Sequence, residues 1–143
     1  MTDVHKPKVR SYNMSRVKPK DTKPEILVRK YLHFRGLRFR LHDSRLPGKP
    51  DIVLPKYRTV IQVNGCFWHK HEGCKYFVVP KTRTEWWLGK IYRTVERDKE
   101  NNRRLRELGW KVIVVWECEL KGVKKEETLI SLYKNISKIE KVR

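Results

Sequence analysis

Two groups of residues in this 143-residue chain have the types and spacing that site chemistry needs. Cys66, His69, His71 and Cys74 fall within nine residues, and Cys118 comes directly after a strongly apolar run far downstream. A tetrahedral Zn²⁺ site takes four thiolate or imidazole ligands. Cys66, His71, Cys74 and Cys118 would supply Cys₃His and tie a long loop to the element before Cys118, although on spacing alone His69 could replace His71. Three Cys cannot pair completely, and a reducing compartment disfavours disulfides in any case. The plainer reading, three ordinary buried cysteines, is weakened because two of them share a polar, Lys-rich loop with His.

The second group is acidic. Pro50-Asp51 opens an apolar run directly after Gly48-Lys49, which places a carboxylate at a sheet edge. Mg²⁺ is typically held by one or two carboxylates together with phosphate oxygens. Gln62 and Asn64 share one side of their strand while Ile61 and Val63 face the other, and polar residues on so apolar a strand need water, a ligand or a partner. Glu25 stands three residues after Thr22, where a capping-box Glu stands, so a structural role competes with a catalytic one. Asp98 falls on a seam with Leu88, Ile91, Val95, Asn102 and Leu105. A carboxylate there is costly unless paired, which favours an active-site or helix-docking role over a surface one.

Several elements must position these groups. Thr22, Pro24 and Glu25 start a helix whose buried face is Leu27, Val28, Tyr31, Leu32 and Phe34, and Gly36 stops it. Leu37, Phe39 and Leu41 alternate with Arg38 and Arg40 as a strand with one wet or DNA-facing side. Runs 51–54 and 59–64 are two strands joined through Pro55 to Arg58 as a hairpin, and a tight turn would set Asp51 opposite Gln62. Residues 65–83 show no period, which inside a compact domain points to a functional loop. Thr84 caps a long helix to Leu108, with Leu88, Ile91, Val95, Leu105 and Leu108 as its stripe and Gly109 as its end. Trp110 to Trp116 is apolar on both faces, as a central strand between helices would be. Residues 126–139 form a last helix on Leu129, Leu132, Tyr133 and Ile136. The order predicts an α/β sandwich with a mixed sheet.

Thirty-five Lys and Arg against sixteen Asp and Glu leave +19, which favours a polyanionic partner, DNA or RNA first. Residues 1–20 read as a basic arm that orders on DNA, followed by one domain over 21–143 with the zinc-bound loop 65–83. Five Trp and six Tyr argue for a folded core and stacking capacity over a disordered basic tail. No apolar run approaches the roughly 20 residues that span a bilayer, and the N-terminus lacks a signal-peptide stretch, so the chain is expected in the cytosol. Phe67-Trp68 and Trp86-Trp87 bracket the loop beside Lys70, Lys75, Lys81 and Arg83. Such pairs serve as core or insert between base pairs.

Gly65-Cys66-Phe67-Trp68-His69, Lys81-Thr82-Arg83-Thr84-Glu85 and Val95-Glu96-Arg97-Asp98 resemble the very-short-patch-repair DNA endonucleases. So do Asp3-Val4-His5, Arg10-Ser11 with Asn13-Met14, Leu46-Pro47-Gly48 with Pro50-Asp51, and Leu108-Gly109-Trp110 followed by Val115-Trp116-Glu117-Cys118. The likeness extends to about Lys121. It implies a restriction-endonuclease-like three-layer sandwich, with a mixed central sheet flanked by helices, and a nick 5′ to the T of a T·G mismatch. It further implies Asp51 as the Mg²⁺ carboxylate, His69 near the scissile phosphate, and Glu25 and Asp98 as polar members of the site. Structural zinc would sit on Cys66, His71, Cys74 and Cys118, with Phe67, Trp68 and Trp87 as the wedge, and Lys70 and Arg83 are read as DNA-binding. The pattern departs where Thr then His is usual, since this chain has Val63 and Asn64. The Val63 carbonyl could still bind Mg²⁺, but Asn64 cannot act as an imidazole does. His69, or a metal-bound water, is left to activate the nucleophile.

The expected enzyme is a monomer in the bacterial or archaeal cytosol, beside the nucleoid. It would act on double-stranded DNA with a T·G mismatch, with mismatch-repair proteins as partners. Two other readings stay open: a site-specific double-strand DNA endonuclease, and a non-catalytic zinc-stabilised DNA-binding module.

Overall fold

The computed structural model describes residues 21–139, so the expected basic arm over residues 1–20 lies outside the described residues. Helix α1 (Lys23–Phe34) starts where Thr22 is extended and its hydroxyl accepts the Glu25 N–H at 3.4 Å. The Glu25 carboxylate reaches back to the N–H of Asp21 at 3.2 Å, one residue beyond the reciprocal bond of a capping box. Val28 and Leu32 are fully buried, with Leu27 and Tyr31 packed beside them. Phe34, expected on that face, is 81% exposed. It lies two residues past Leu32, about 200° around the helix.

Strands β1 (Arg40–Leu41), β2 (Ile52–Leu54), β3 (Thr59–Asn64) and β4 (Lys111–Trp116) form one sheet in the order β1-β2-β3-β4. The first two pairings are antiparallel and β3 with β4 is parallel. The strand expected from Leu37 contracts to two residues. The Leu37 N–H is already bound to the Leu32 carbonyl at the end of α1, and its side chain is in the core. The turn between β2 and β3 is a 3₁₀ turn over Pro55–Tyr57 with Arg58 at φ 48°. Its register pairs Ile52 with Ile61, which carried on by one residue sets Asp51 opposite Gln62, as the short connection required.

Strand β4 was expected at the centre but is an outer strand of this four-stranded sheet. Its two-sided apolarity has a different cause, because both of its faces are covered. Val112 packs with Val53, Val60 and Leu105 on one face. Ile113 and Val115 pack with Ile61, Leu129, Leu132 and Ile136 on the other.

Helix α2 (Thr84–Glu107) covers the first face, and α1 with α3 (Lys124–Ser137) covers the second. The result is the three-layer α/β sandwich of the restriction-endonuclease-like fold. Thr84 does not cap α2. Arg83 holds the cap position at φ 55°, and the Thr84 hydroxyl donates to the Pro80 and Lys81 carbonyls at 3.0 and 2.9 Å. Nor do Leu88 and Leu108 join the stripe: they are 45% and 55% exposed, and Trp87, Ile91 and Leu105 are the buried residues. Trp87, about 100° from Leu88 around the helix, lies on the same side as Ile91. Among the described residues no helix is long and apolar enough to cross a membrane.

Candidate active site and metal centre

One cleft of about 990 Å³ gathers Glu25, Asp51, Asn64, His69 and Asp98 on its walls. Asp51 sits just before β2, and its Oδ2 accepts the Val63 N–H of neighbouring β3 at 2.8 Å. Burial pushes the Asp51 carboxyl up to about 6, with the nearby Glu25 carboxylate acting in the same direction and the Val63 N–H opposing both. The β2–β3 register puts Asp51 on the α2 side of the sheet together with Gln62 and Asn64, facing Asn101 and Asn102. The loop before Asp51 is pressed against the same helix. At Gly48, φ +75°, a Cβ would stand 2.6 Å from the Asn101 amide nitrogen, so this close approach requires glycine.

Glu25 is 2% exposed, and its place is compatible with both of the roles that competed for it. It helps to cap α1 and it also faces the cleft. Its Oε2 accepts from the Asp21 N–H and from Arg29 Nη1 at 3.1 Å, and both of its oxygens lie 3.0 Å from His42 Nε2. His69 Nδ1 is 2.5 Å from Asp98 Oδ2, so the carboxylate in the α2 seam is paired. A carboxylate that accepts here takes the hydrogen of Nδ1, and in the neutral ring of that tautomer Nε2 is the acceptor. This pair joins the loop to α2 and can act as base and orienting group in proton transfer.

The four residues Cys66, His71, Cys74 and Cys118 bring their ligand atoms within 4.8 Å of one another. Cys118 Sγ and His71 Nδ1 are 3.4 Å apart. The choice between the two histidines follows from geometry: His71 enters the cluster while His69 turns to Asp98. His71 is held flat against Trp116, with ring centroids 4.1 Å apart and planes 5° apart, and its N–H donates to the Cys66 carbonyl at 3.0 Å. Cys118 follows β4 in a 3₁₀ turn over Glu117–Leu120, which anchors the loop to the sheet. Burial pushes the Cys66 thiol up to about 12, whereas the Tyr76 N–H draws the Cys74 thiol down. Thiols this close together can all ionise only beside a cation.

Phe67 and Trp68 are half-buried on the cleft wall and meet edge to face at 5.3 Å. Trp87 is 8% exposed and backs both, with centroids at 5.6 and 5.8 Å. Trp86 is the more open ring of the α2 pair, 41% exposed, with Arg83 and Lys90 over it at 4.5 and 4.7 Å. Lys70 is exposed and lies 3.4 Å from Glu72. No motif in the sequence singles out His42, which also lines the cleft. Nothing local signals a contact between residues 17 positions apart.

The family profile described as DNA mismatch endonuclease Vsr matches residues 2–75. Over 125 residues the chain is 50% identical to DNA mismatch endonuclease Vsr of Escherichia coli (strain K12), covering 87% of this chain and 80% of that protein. It is 52% identical over 122 residues to the type II nicking enzyme V.NmeAIP of Neisseria meningitidis serogroup A, covering 85% and 86%. Against the type II nicking enzyme V.XorIIP of Xanthomonas oryzae pv. oryzae the identity is 49% over 120 residues, covering 84% and 88%.

Proposed function

Because the chain belongs to the DNA mismatch endonuclease Vsr family, we propose that it nicks one strand of duplex DNA 5′ to the T of a T·G mismatch, in very short patch repair. The observation that carries the reading is the meeting, in one cleft, of the buried Asp51 carboxylate with the His69–Asp98 pair, beside the Phe67–Trp68 rings. A base, a cation-seeking carboxylate and a stacking surface are what hydrolysis next to a distorted base pair requires.

Mg²⁺ suits Asp51, whose carboxylate is buried near a second carboxylate and gains from a cation. Asp51 and the Val63 carbonyl would hold the ion, which when bound supplies charge neutralisation at the phosphate and a more acidic water. His69 takes the proton from the attacking water at Nε2. Asp98, at its Nδ1, keeps that tautomer and stabilises the imidazolium that forms. Asn64 contributes hydrogen bonds to the cleft wall and no proton transfer.

Zn²⁺ suits the Cys₃His cluster, because tetrahedral Zn–S bonds of about 2.3 Å set neighbouring sulfurs about 3.8 Å apart, inside the observed spread. Cys66, His71, Cys74 and Cys118 would hold it and so fix the loop carrying Phe67, Trp68 and His69. Phe67 and Trp68, supported from behind by Trp87, enter the duplex at the mismatch, and Lys70, Arg83 and the basic residues before Asp21 contact phosphates. The enzyme works as a monomer in the cytosol, with mismatch-repair proteins as candidate partners.

A labelled T·G duplex incubated with Mg²⁺ should give one nick 5′ to the T and leave a matched duplex intact. Equal cleavage of the two, or linearisation of a mismatch-free plasmid, would replace this reading with that of a double-strand cutter.

A further inference from the structure

We infer that His42 is a positioning residue for the nicking reaction, one that sets the spacing between the Glu25 and Asp51 carboxylates by binding the Glu25 carboxylate with its ring and the main-chain carbonyl of Asp51 with its N–H. The inference rests on Asp51 and Glu25 serving cleavage, as proposed above.

His42 directly follows β1, on the cleft wall, at φ 46°. Side chains of L residues adopt that left-handed backbone at a cost, so surrounding contacts must hold it there. Two such contacts are present. The main-chain N–H donates to the Asp51 carbonyl at 3.2 Å, extending the antiparallel ladder by one step beyond the Leu41–Ile52 pair. The ring Nε2 donates to the Glu25 carboxylate, 3.0 Å from each oxygen.

The other partners of Glu25 cannot perform this task. Asp21 and Arg29 belong to α1 or to the residues leading into it, and Arg29 Nη1 bridges Asp21 at 2.9 Å and Glu25 at 3.1 Å. These bonds fix Glu25 relative to its own helix. Among the described residues, hydrogen bonds to the Glu25 side chain from outside that segment come from His42. Arg29 also fills the cationic place among Asp21, Glu25 and His42, which accounts for that cluster as an ion network and not as a second metal site. The buried Glu25 thus takes its position relative to Asp51 from one imidazole. A donor that is not itself transferring a proton can be replaced by another donor of similar reach, and this separates positioning from acid–base chemistry.

The test compares full-length wild type, His42→Ala, His42→Gln, Glu25→Ala and the Glu25→Ala/His42→Ala double variant. Single-turnover nicking of a T·G duplex with Mg²⁺ is expected to slow by about 10- to 100-fold in His42→Ala, the scale on which misplaced catalytic groups lose rate. Metal-free affinity for the same DNA should change by less than about threefold, since no phosphate-binding charge is removed. The amide N–H of His42→Gln should restore the rate to within about fivefold of wild type. In the Glu25→Ala background, His42→Ala should add no further loss, because no Glu25 acceptor is left for the ring to position. Mn²⁺ affinity, read by electron paramagnetic resonance, should weaken in His42→Ala and recover in His42→Gln. The inference is overturned if His42→Ala nicks and binds Mn²⁺ as wild type does, if His42→Gln is as slow as His42→Ala, or if the two changes add. If wild type fails to nick T·G DNA while the Mn²⁺ pattern holds, the proposed function fails and the His42 role stands.

Discussion

The Cys66, His71, Cys74 and Cys118 cluster and the Asp51 cleft both begin at the end of β3, yet they manage charge differently. In the cluster, ligand atoms converge to within 4.8 Å and burial keeps Cys66 protonated without a cation. In the cleft three carboxylates are tied down by protein donors: Asp51 by the Val63 N–H, Glu25 by Asp21, Arg29 and His42, and Asp98 by His69. On the proposed reading the cluster would need an ion to complete the fold, whereas the cleft is held in shape by hydrogen bonds and would use an ion for chemistry. Loss of the two metals should therefore have unequal consequences for structure.

The largest effect should come from the cluster. Binding to structural zinc sites has apparent free energies of about 10–16 kcal/mol in small zinc domains, so Cys118→Ser should lower Tm by more than about 10 °C. Elemental analysis should find about one Zn per wild-type chain and markedly less in the variant. A folded, zinc-free protein with an unchanged Tm would break the comparison. Withholding Mg²⁺ should lower Tm by much less, since the cleft keeps its hydrogen bonds and loses only the cation's relief of the Asp51 charge.

In the cleft, Asp51→Asn should abolish nicking by about 1,000-fold or more, because it removes an ion ligand worth several kcal/mol. It should also stabilise the metal-free protein. The folded pKa of Asp51, about 6, lies above its ordinary 3.8, so between those values the folded state binds more protons than the unfolded state. Stability is then lost as pH rises through that window, and at pH 7.5 the charged carboxylate costs about 3 kcal/mol. Thermal unfolding without metal should show Asp51→Asn several degrees above wild type at pH 7.5 and level with it near pH 4. A lower Tm at pH 7.5 would mean that the carboxylate stabilises the cleft. Asp98→Asn should cost about 100-fold in the cleavage step with DNA affinity retained, since its amide can hold the wrong imidazole tautomer. Equal losses in rate and binding would instead make Asp98 a docking residue.

Local signals along the chain announced one region better than the other. Three of the four cluster ligands lie within nine residues, and their types alone call for a soft cation. Helix α1 begins at its Thr22 cap, and a tight four-residue connection, which the structure has, sets Asp51 opposite Gln62. The burial of Leu88, Leu108 and Phe34 was misjudged because helical spacing identifies a stripe without saying which neighbour will cover it.

The sequence by itself determined which groups were available: the Cys₃His ligand types, the Asp51 carboxylate at the head of β2, and the amide of Asn64 at the end of β3. Tertiary structure decided which of them meet. It gave His71 to the cluster and His69 to Asp98, put β4 at the edge of the sheet, and let Glu25 cap α1 while bonding His42. These contacts join residues 47, 29 and 17 positions apart. Hydrogen-bonding and steric preferences act over a few residues along the chain, but contacts at such separations exist only after the helices have packed onto the sheet.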